Sequence, residues 1–493
     1  MGLLAGLLLA GGCQKDYLDI NNNPNSPVYS TPDLTLAAAL NQAAAGFGLA
    51  GDQTIRTDGT FEAQEIGGFF AGQITASGSV SGFVGERTYN YDTGFRTNVW
   101  SGIYNNLADF DDVEKSATTL KYTTYTAIAK IMKAYNYQIL VDAYGNVPYS
   151  EALQGTTVIR PKYESGQAIY DDLLKRIDSG IADAKVAVSG TNPSPGSADI
   201  FFKGDMAKWV RFANTLKLRM LIRQTNVAGK DLKGEIAKIV AEGSGFLKAG
   251  ENVTANPGYT GSEGKTNPFW GYYGFKASGA VAANKDFYAL TDFAIKLLQG
   301  TNDPRLPLIA APAASDRTFR GVPYGGGNDA FLASKVSGFG PGILKSFDQP
   351  TIVMTAAESF FLQAEAAQRG LLTGGDAKAL YESGVRESFK QFGGAAADAT
   401  AYLGGNGDFT AATDKIQAII TQKWIATIGN NGFEAWSEYR RTGFPKIPLS
   451  VRAIGTKQPV RLLYPRSEYG TNAENVAAQG TVSQFDTKIF WMK

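Results

Sequence analysis

Two irregular stretches of this chain bring aromatic rings together with planar polar groups. Residues 69–96 hold Phe69, Phe70, Gln73, Phe83, Arg87, Tyr89, Asn90, Tyr91 and Asp92. The second stretch, NPFWGYYGFKASGAVAANKDF, crowds Asn267, Phe269, Trp270, Tyr272, Tyr273 and Phe275 into nine positions. Sugars present flat apolar C–H faces edged with hydroxyls, so a surface that binds them needs exposed rings beside amide, carboxylate or guanidinium groups. Both stretches supply the two kinds of group. The glycines between the rings argue against a regular element, and nine such residues cannot all turn inward, which predicts that some face solvent. The ligand-binding candidates are therefore Phe69, Phe70, Arg87, Tyr89, Tyr91, Asn267, Trp270, Tyr272, Tyr273 and Phe275. The competing reading is that these rings seal the scaffold or touch another protein.

Other chemistry is narrowed by what the chain lacks. It has no histidine in 493 residues, which removes the commonest general base near neutral pH and the commonest metal ligand. Its single cysteine, Cys13, excludes an intramolecular disulfide and any CxxC motif. No catalytic residue, metal ligand set or cofactor is expected. The enzymatic alternative is a pair of carboxylates about 5–10 Å apart, as in glycan hydrolysis. Asp92, Asp286 and Asp303 are available, yet no spacing singles them out, and Asp303 in the NDPR turn reads as a loop cap. The charge is balanced, 47 Lys and Arg against 46 Asp and Glu, so no field favours a polyanion and nucleic acid is not an expected partner.

The amino terminus reads as an address. Residues 1–12, MGLLAGLLLAGG, are too short to span a bilayer but suit the apolar region of a secretory signal. Leu9-Ala10-Gly11-Gly12-Cys13 resembles a bacterial lipobox, with Cys13 as the lipidated residue. The missing basic residues before the apolar run, and a leucine one place further from the cysteine than usual, depart from that pattern. Residues 13–33 then read as a lipidated cysteine and tether rich in Asn and Pro, and residues 34–493 as one binding domain.

Helical periodicity dominates that domain. It begins with DLTLAAALNQAAAGF, returns between about 99 and 142 with Ile128, Ile131, Met132, Tyr135 and Ile139 in step, and marks Ile169 to Ala184 and Met206 to Met220. Residues 51–98 and 250–350 read as irregular. Helices resume at Thr355–Arg369, Asp376–Phe392, Asp414–Ile428 and Phe433–Arg441. Short paired helices with Ala at crossing points resemble tetratricopeptide hairpins without a fixed period. The expected class is all-α, irregular tetratricopeptide-like hairpins with long loop insertions and little β structure. Trp100, Trp209, Trp424 and Trp436 lie in helical period and read as core. Arg219, Arg223, Glu358 and Glu365 read as ion pairs between helices, with Glu365 and Arg369 an ordinary i, i+4 contact.

Several strings, in order along almost the whole chain, carry a family resemblance. They are NNNPNSP, WSGIYNNL, ILVDAYGNVPYSEAL, YDDLLKRID, FKGDMAKWVRFANTLKLRMLIR, NDPR, MTAAESFFLQAEAAQRG, YESGVRESF, ITQKWIATIGNNGFEAWSEYRRTGFP and FDTKIFWMK. Together they resemble the SusD/RagB nutrient-binding outer-membrane lipoproteins, in particular the starch-binding-associated subgroup. The resemblance implies a non-enzymatic, lipid-anchored protein on the cell surface of a Gram-negative bacterium. Its implied task is to capture oligosaccharide or peptide for a partner SusC-like, TonB-dependent transporter. It also implies that ligand sites draw on the loop preceding WSGIYNNL and on the loop in the middle of the chain, with no individual residue matched. The alternatives are an all-α glycan-degrading enzyme and a purely structural helical scaffold.

Overall fold

The computed structural model describes residues 31–45 and 59–493. The expected signal at 1–12, Cys13 and all but the last three residues of the expected 13–33 tether lie outside them, and of those three Pro32 and Asp33 open α1. Helix α1 (Pro32–Ala45) is followed by α2 (Gly59–Phe70), α3 (Val84–Thr88) and the long hairpin of α4 (Asn98–Leu120) and α5 (Thr123–Tyr144). Helix α6 (Gly166–Ala184) packs along α5, and α7 (Met206–Arg223) along α6, before α8 (Leu232–Glu242). The middle of the chain carries only α9 (Pro268–Tyr273), α10 (Asp292–Gly300) and α11 (Leu306–Ile309). The carboxyl half holds α12 (Ala356–Gln368), α13 (Ala377–Phe392), α14 (Ala396–Leu403), α15 (Lys415–Ala426) and α16 (Gly432–Thr442). Two short helices, α17 (Arg466–Thr471) and α18 (Ala473–Ala477), close the series.

The β structure among the described residues is three antiparallel two-stranded ribbons. Strand β1 (Ile74–Ala76) pairs with β5 (Tyr288–Leu290), β2 (Val147–Pro148) with β3 (Tyr163–Glu164), and β4 (Val253–Ala255) with β6 (Thr351–Met354). The all-α, hairpin-built class is what the sequence predicts.

Local sequence fixes the helix ends. Ser165, Asp205, Thr355, Asp414 and Asn431 each accept a backbone N–H from the first turn of the helix they precede, which satisfies donors that the helix itself leaves unpaired. The expected stripes face inward: Ile128, Ile131, Met132, Tyr135 and Ile139 are buried, as are Trp100, Trp209, Trp424 and Trp436.

One expectation needs correction. Residues 59–70 are not irregular but form α2. A Cβ at Gly67 would lie 2.3 Å from the Phe433 backbone, and one at Gly432 2.3 Å from Gly68 N. The glycines that read as loop punctuation are the points where α2 crosses α16, closer than side chains would allow. Helices α3, α8, α9, α10, α11, α14, α17 and α18 also form where no helix is expected.

The expected ion pairs merge into one buried charged centre. Arg219 Nε donates to Glu358 at 2.8 Å, and Arg223 reaches both oxygens of Glu434 at 2.6 Å and Glu438 at 2.7 Å. Lys423 lies 3.1 Å from Glu434 and 3.2 Å from Glu438. Arg441 holds both oxygens of Glu365, which also accepts from Arg369 Nε at 2.7 Å. Asp142 joins this centre, accepting from Tyr170 Oη at 2.5 Å and Trp491 Nε1 at 2.8 Å. Removing one partner of such a centre leaves an uncompensated buried charge, so it locks α5, α7, α12, α15 and α16 in one arrangement. The irregular middle of the chain is displayed on that frame.

Candidate ligand-binding surface

Most of the rings singled out from the sequence are core. Phe69 and Phe70 are fully buried. Phe69 stacks on Phe83 with centroids 5.2 Å apart, and Phe70 meets Tyr89, Tyr91 and Trp436 at 5.9, 6.1 and 5.2 Å. Tyr89 Oη accepts Ser450 N at 3.0 Å and Tyr91 Oη donates to Arg461 O at 2.7 Å, both rings being buried. The buried Arg87 guanidinium donates to Ser77 O at 3.2 Å. Burial lowers its pKa first, Arg452 adds to that, and Glu86 opposes it. Five members of the first stretch thus seal the frame and offer no stacking face.

The second stretch divides. Helix α9 is a single turn that turns Tyr272 and Tyr273 inward, at 3% and 4% exposure. Their hydroxyls meet Tyr288 Oη at 3.2 Å and Glu65 Oε1 at 3.1 Å, and Glu65 is also engaged by Tyr288 and Arg96. Asn267 is buried and occupied: its Oδ1 accepts Trp270 N at 2.9 Å while its Nδ2 donates to Gln349 O at 2.8 Å and Thr351 Oγ1 at 3.0 Å. It acts as a strut between α9 and the segment entering β6, not as a ligand contact. The premise that glycines keep these residues irregular fails here, because a one-turn helix can point adjacent tyrosines into one pocket of donors and acceptors.

Trp270 and Phe275 emerge on the opposite side and are half-buried. Their centroids lie 5.7 Å apart, and Phe347, 41% exposed, meets Trp270 edge-on at 6.2 Å. Lys285 Nζ stands 4.8 Å over the Phe275 ring, a cation–π contact that fixes the ring while leaving an ammonium at the rim. Close by, Tyr259 Oη lies 3.3 Å from Thr351 Oγ1, and burial pushes this phenol up to about 12 despite that hydrogen bond, so it stays a neutral hydroxyl. The arrangement offers partly exposed rings with a cation over one of them. Sequence reasoning missed Phe347 and Lys285, although a lone phenylalanine inside KSFDQP is a readable sign of an exposed loop ring.

On the other side of α9 lies a half-open cleft of about 290 Å³. Phe269, Tyr273, Phe339, Ile343 and Phe392 form its apolar walls, with Gln73, Gln349, Gln391 and Asn430 among the polar lining. Gln391 Oε1 and Asn430 Oδ1 are buried with no hydrogen-bond partner among the described residues. Buried acceptors of this kind are normally satisfied; the nitrogens of both side chains donate to Ala426 O, at 3.1 and 2.9 Å, which ties these amides to the frame. The carboxylates lining the cleft are Glu65 and Glu387, the latter accepting Gly250 N at 2.8 Å. Asp92, Asp286 and Asp303 do not line it. Asp303 accepts from Arg305 N at 2.9 Å and pairs with its guanidinium at 2.6 Å, a buried loop cap as expected.

Comparison with known proteins places this architecture. No curated protein matches the chain. A structure described as a chitin-binding protein superimposes with TM-score 0.77 at 26% identity, covering 94% of this chain and all of the other. A SusD-like protein from Bacteroides thetaiotaomicron gives 0.77 at 25% identity over 94% and 98%. A chitin-binding SusD homologue from Flavobacterium johnsoniae gives 0.78 at 25% identity over 93% and 98%. A family described as starch-binding and associating with the outer membrane matches residues 47–465. With that match over most of its length, and a helical frame shared with these structures, the chain belongs to the SusD-like family.

Proposed function

We propose that this chain captures oligosaccharides at the cell surface and delivers them to a partner SusC-like, TonB-dependent transporter. A lipid on Cys13 holds it at the outer membrane. The observation that carries the reading is the open cluster of Trp270, Phe275 and Phe347 with the Lys285 ammonium at its edge. Stacking on such rings suits the apolar face of a pyranose, and the adjoining cleft is lined by the amide side chains of Gln73, Gln349, Gln391 and Asn430. The family match and the two chitin-binding structures support a glycan as the ligand class. A binding role is favoured over hydrolysis because the cleft carboxylates Glu65 and Glu387 are engaged by protein donors. No described helix is long and apolar enough to cross a membrane, and in this reading attachment comes from the acyl chains.

The test is calorimetric titration of the purified chain with chitin and starch oligosaccharides, alongside Trp270→Ala. Binding of one series, weakened at least severalfold by the substitution with the thermal midpoint retained, supports the site. A folded chain that binds neither series sinks the glycan reading, and reducing ends released by the protein alone would favour the enzyme.

A further inference from the structure

One end of the molecule shows a different chemistry. The start of α1, the turn between α4 and α5, and the loop after α6 meet there. Asn192 ties two of them together: its Oδ1 accepts Thr124 N at 3.3 Å, and its Nδ2 donates to Thr123 Oγ1 at 2.8 Å and to Ala187 O at 3.2 Å. Thr124 Oγ1 adds a bond to Pro193 O at 2.6 Å. Helix α1 packs on the adjoining turn Gly196–Ala198, and its Asp33 carboxylate is near enough to the Tyr125 hydroxyl to raise it, second to burial.

This end exposes Leu34 at 68%, Leu120 at 44%, Val186 at 46% and Val188 at 52%. Single exposed aliphatics are ordinary, but four gathered at one tip, from the first turn of α1, the end of α4 and the loop after α6, are a patch. Lys121 and Lys203 are exposed at the same end, and neither makes an ion pair among the described residues. Aliphatics beside two free ammonium groups, which outnumber the exposed Asp33 carboxylate at this end, match a lipid interface, where acyl chains meet anionic phosphates.

The chain's own course selects that occupant. Helix α1 begins at this tip, and the seventeen residues between Cys13 and Thr31 reach at most about 60 Å. A tether raises the effective concentration of lipid at the patch, so contacts too weak to bind alone become populated. We propose that the tip formed by Leu34, Leu120, Val186 and Val188 rests on the anionic lipid surface and sets the tilt of the anchored protein. This rests on the reading of Cys13 as the lipidated residue.

The experiment uses the full chain, acylated in a Gram-negative host and reconstituted into vesicles of phosphatidylethanolamine and phosphatidylglycerol. With Cys13 blocked by lipid, a polarity-sensitive fluorophore goes only to an added cysteine. One variant carries it at V188C and the other at I159C. Ile159 is more solvent-facing, at 73% exposure against 52% for Val188, but it follows the far end of α5, whose 22 residues span about 33 Å. The emission from V188C should shift to shorter wavelength on vesicles while I159C stays put. A chain that floats with vesicles yet shows no shift at V188C overturns the contact. So does a V188C label already shielded before vesicles are added, which would mean that the chain covers its own patch. Mass spectrometry of Cys13 reads the anchor separately. If no lipid is found there, the tether that populates the contact is missing and the proposal falls with the reading of Cys13.

Discussion

Asn267 accepts the backbone N–H of Trp270 at 2.9 Å while its own amide nitrogen bridges to Gln349 O and Thr351 Oγ1. One buried side chain thus sets the start of α9 and its distance from the segment that carries Phe347. Asn267→Ala should cost about 1–3 kcal/mol, from a lost cap and unpaired acceptors. It should also weaken oligosaccharide binding without any contact to the ligand. Urea unfolding and titration on the same variant check both, and unchanged affinity would show that the spacing of Trp270 from Phe347 is immaterial.

Trp270→Ala and Phe69→Ala should fail in opposite ways. The first removes a half-exposed ring and should lower affinity while leaving the thermal midpoint within a few degrees. The second empties a fully buried site packed on Phe83 and Tyr288 and should cost about 3–5 kcal/mol. Differential scanning calorimetry separates them.

Replacing Gly67 with alanine should destabilise the fold by about 1–3 kcal/mol or more, because the new methyl would meet backbone atoms of Phe433 that cannot rotate away. Gly155→Ala, where the added Cβ meets nothing within 4 Å, tests for the milder strain of positive φ alone.

Acid should loosen the charged centre over a defined range. Burial pushes the Glu365 carboxyl up, but the Arg441 and Arg369 guanidinium groups outweigh it and hold the group down to about 2 from its ordinary 4.5. Glu434 is held low in the same way, against burial, by Arg223, Lys423 and Arg219. A carboxyl depressed by folding contributes stability that is complete above its unfolded value and disappears as pH falls through the folded one. Asp142, raised chiefly by burial, contributes with the opposite sign. The thermal midpoint should therefore drop between pH 4.5 and pH 2, and Glu365→Gln should be less stable at neutral pH with a shallower acid slope.

The frame was legible in the sequence where period and partner reinforce one another. Trp209, Trp424 and Trp436 sit in helical step among aliphatics, and Arg219 and Glu358 sit on faces that an apolar neighbour would otherwise occupy. The display surface was less legible. Tyr273 looks like Trp270 in sequence, and what buries it is Glu65, 208 positions earlier. Gly67 and Gly68 read as loop signals because a helix crossing leaves the same mark as a turn when its partner, Gly432, is not yet known. Gln391 and Asn430 left no signal, since an amide oxygen lacks a partner only in three dimensions.

Trp491 gives its indole N–H to Asp142, 349 positions upstream, in the middle of the charged centre. A polypeptide that emerges amino end first lacks this donor until residue 491 has appeared. The charged centre thus gains its full set of donors only when residues 142 and 491 are both in place, so the amino-terminal half cannot complete this core by itself.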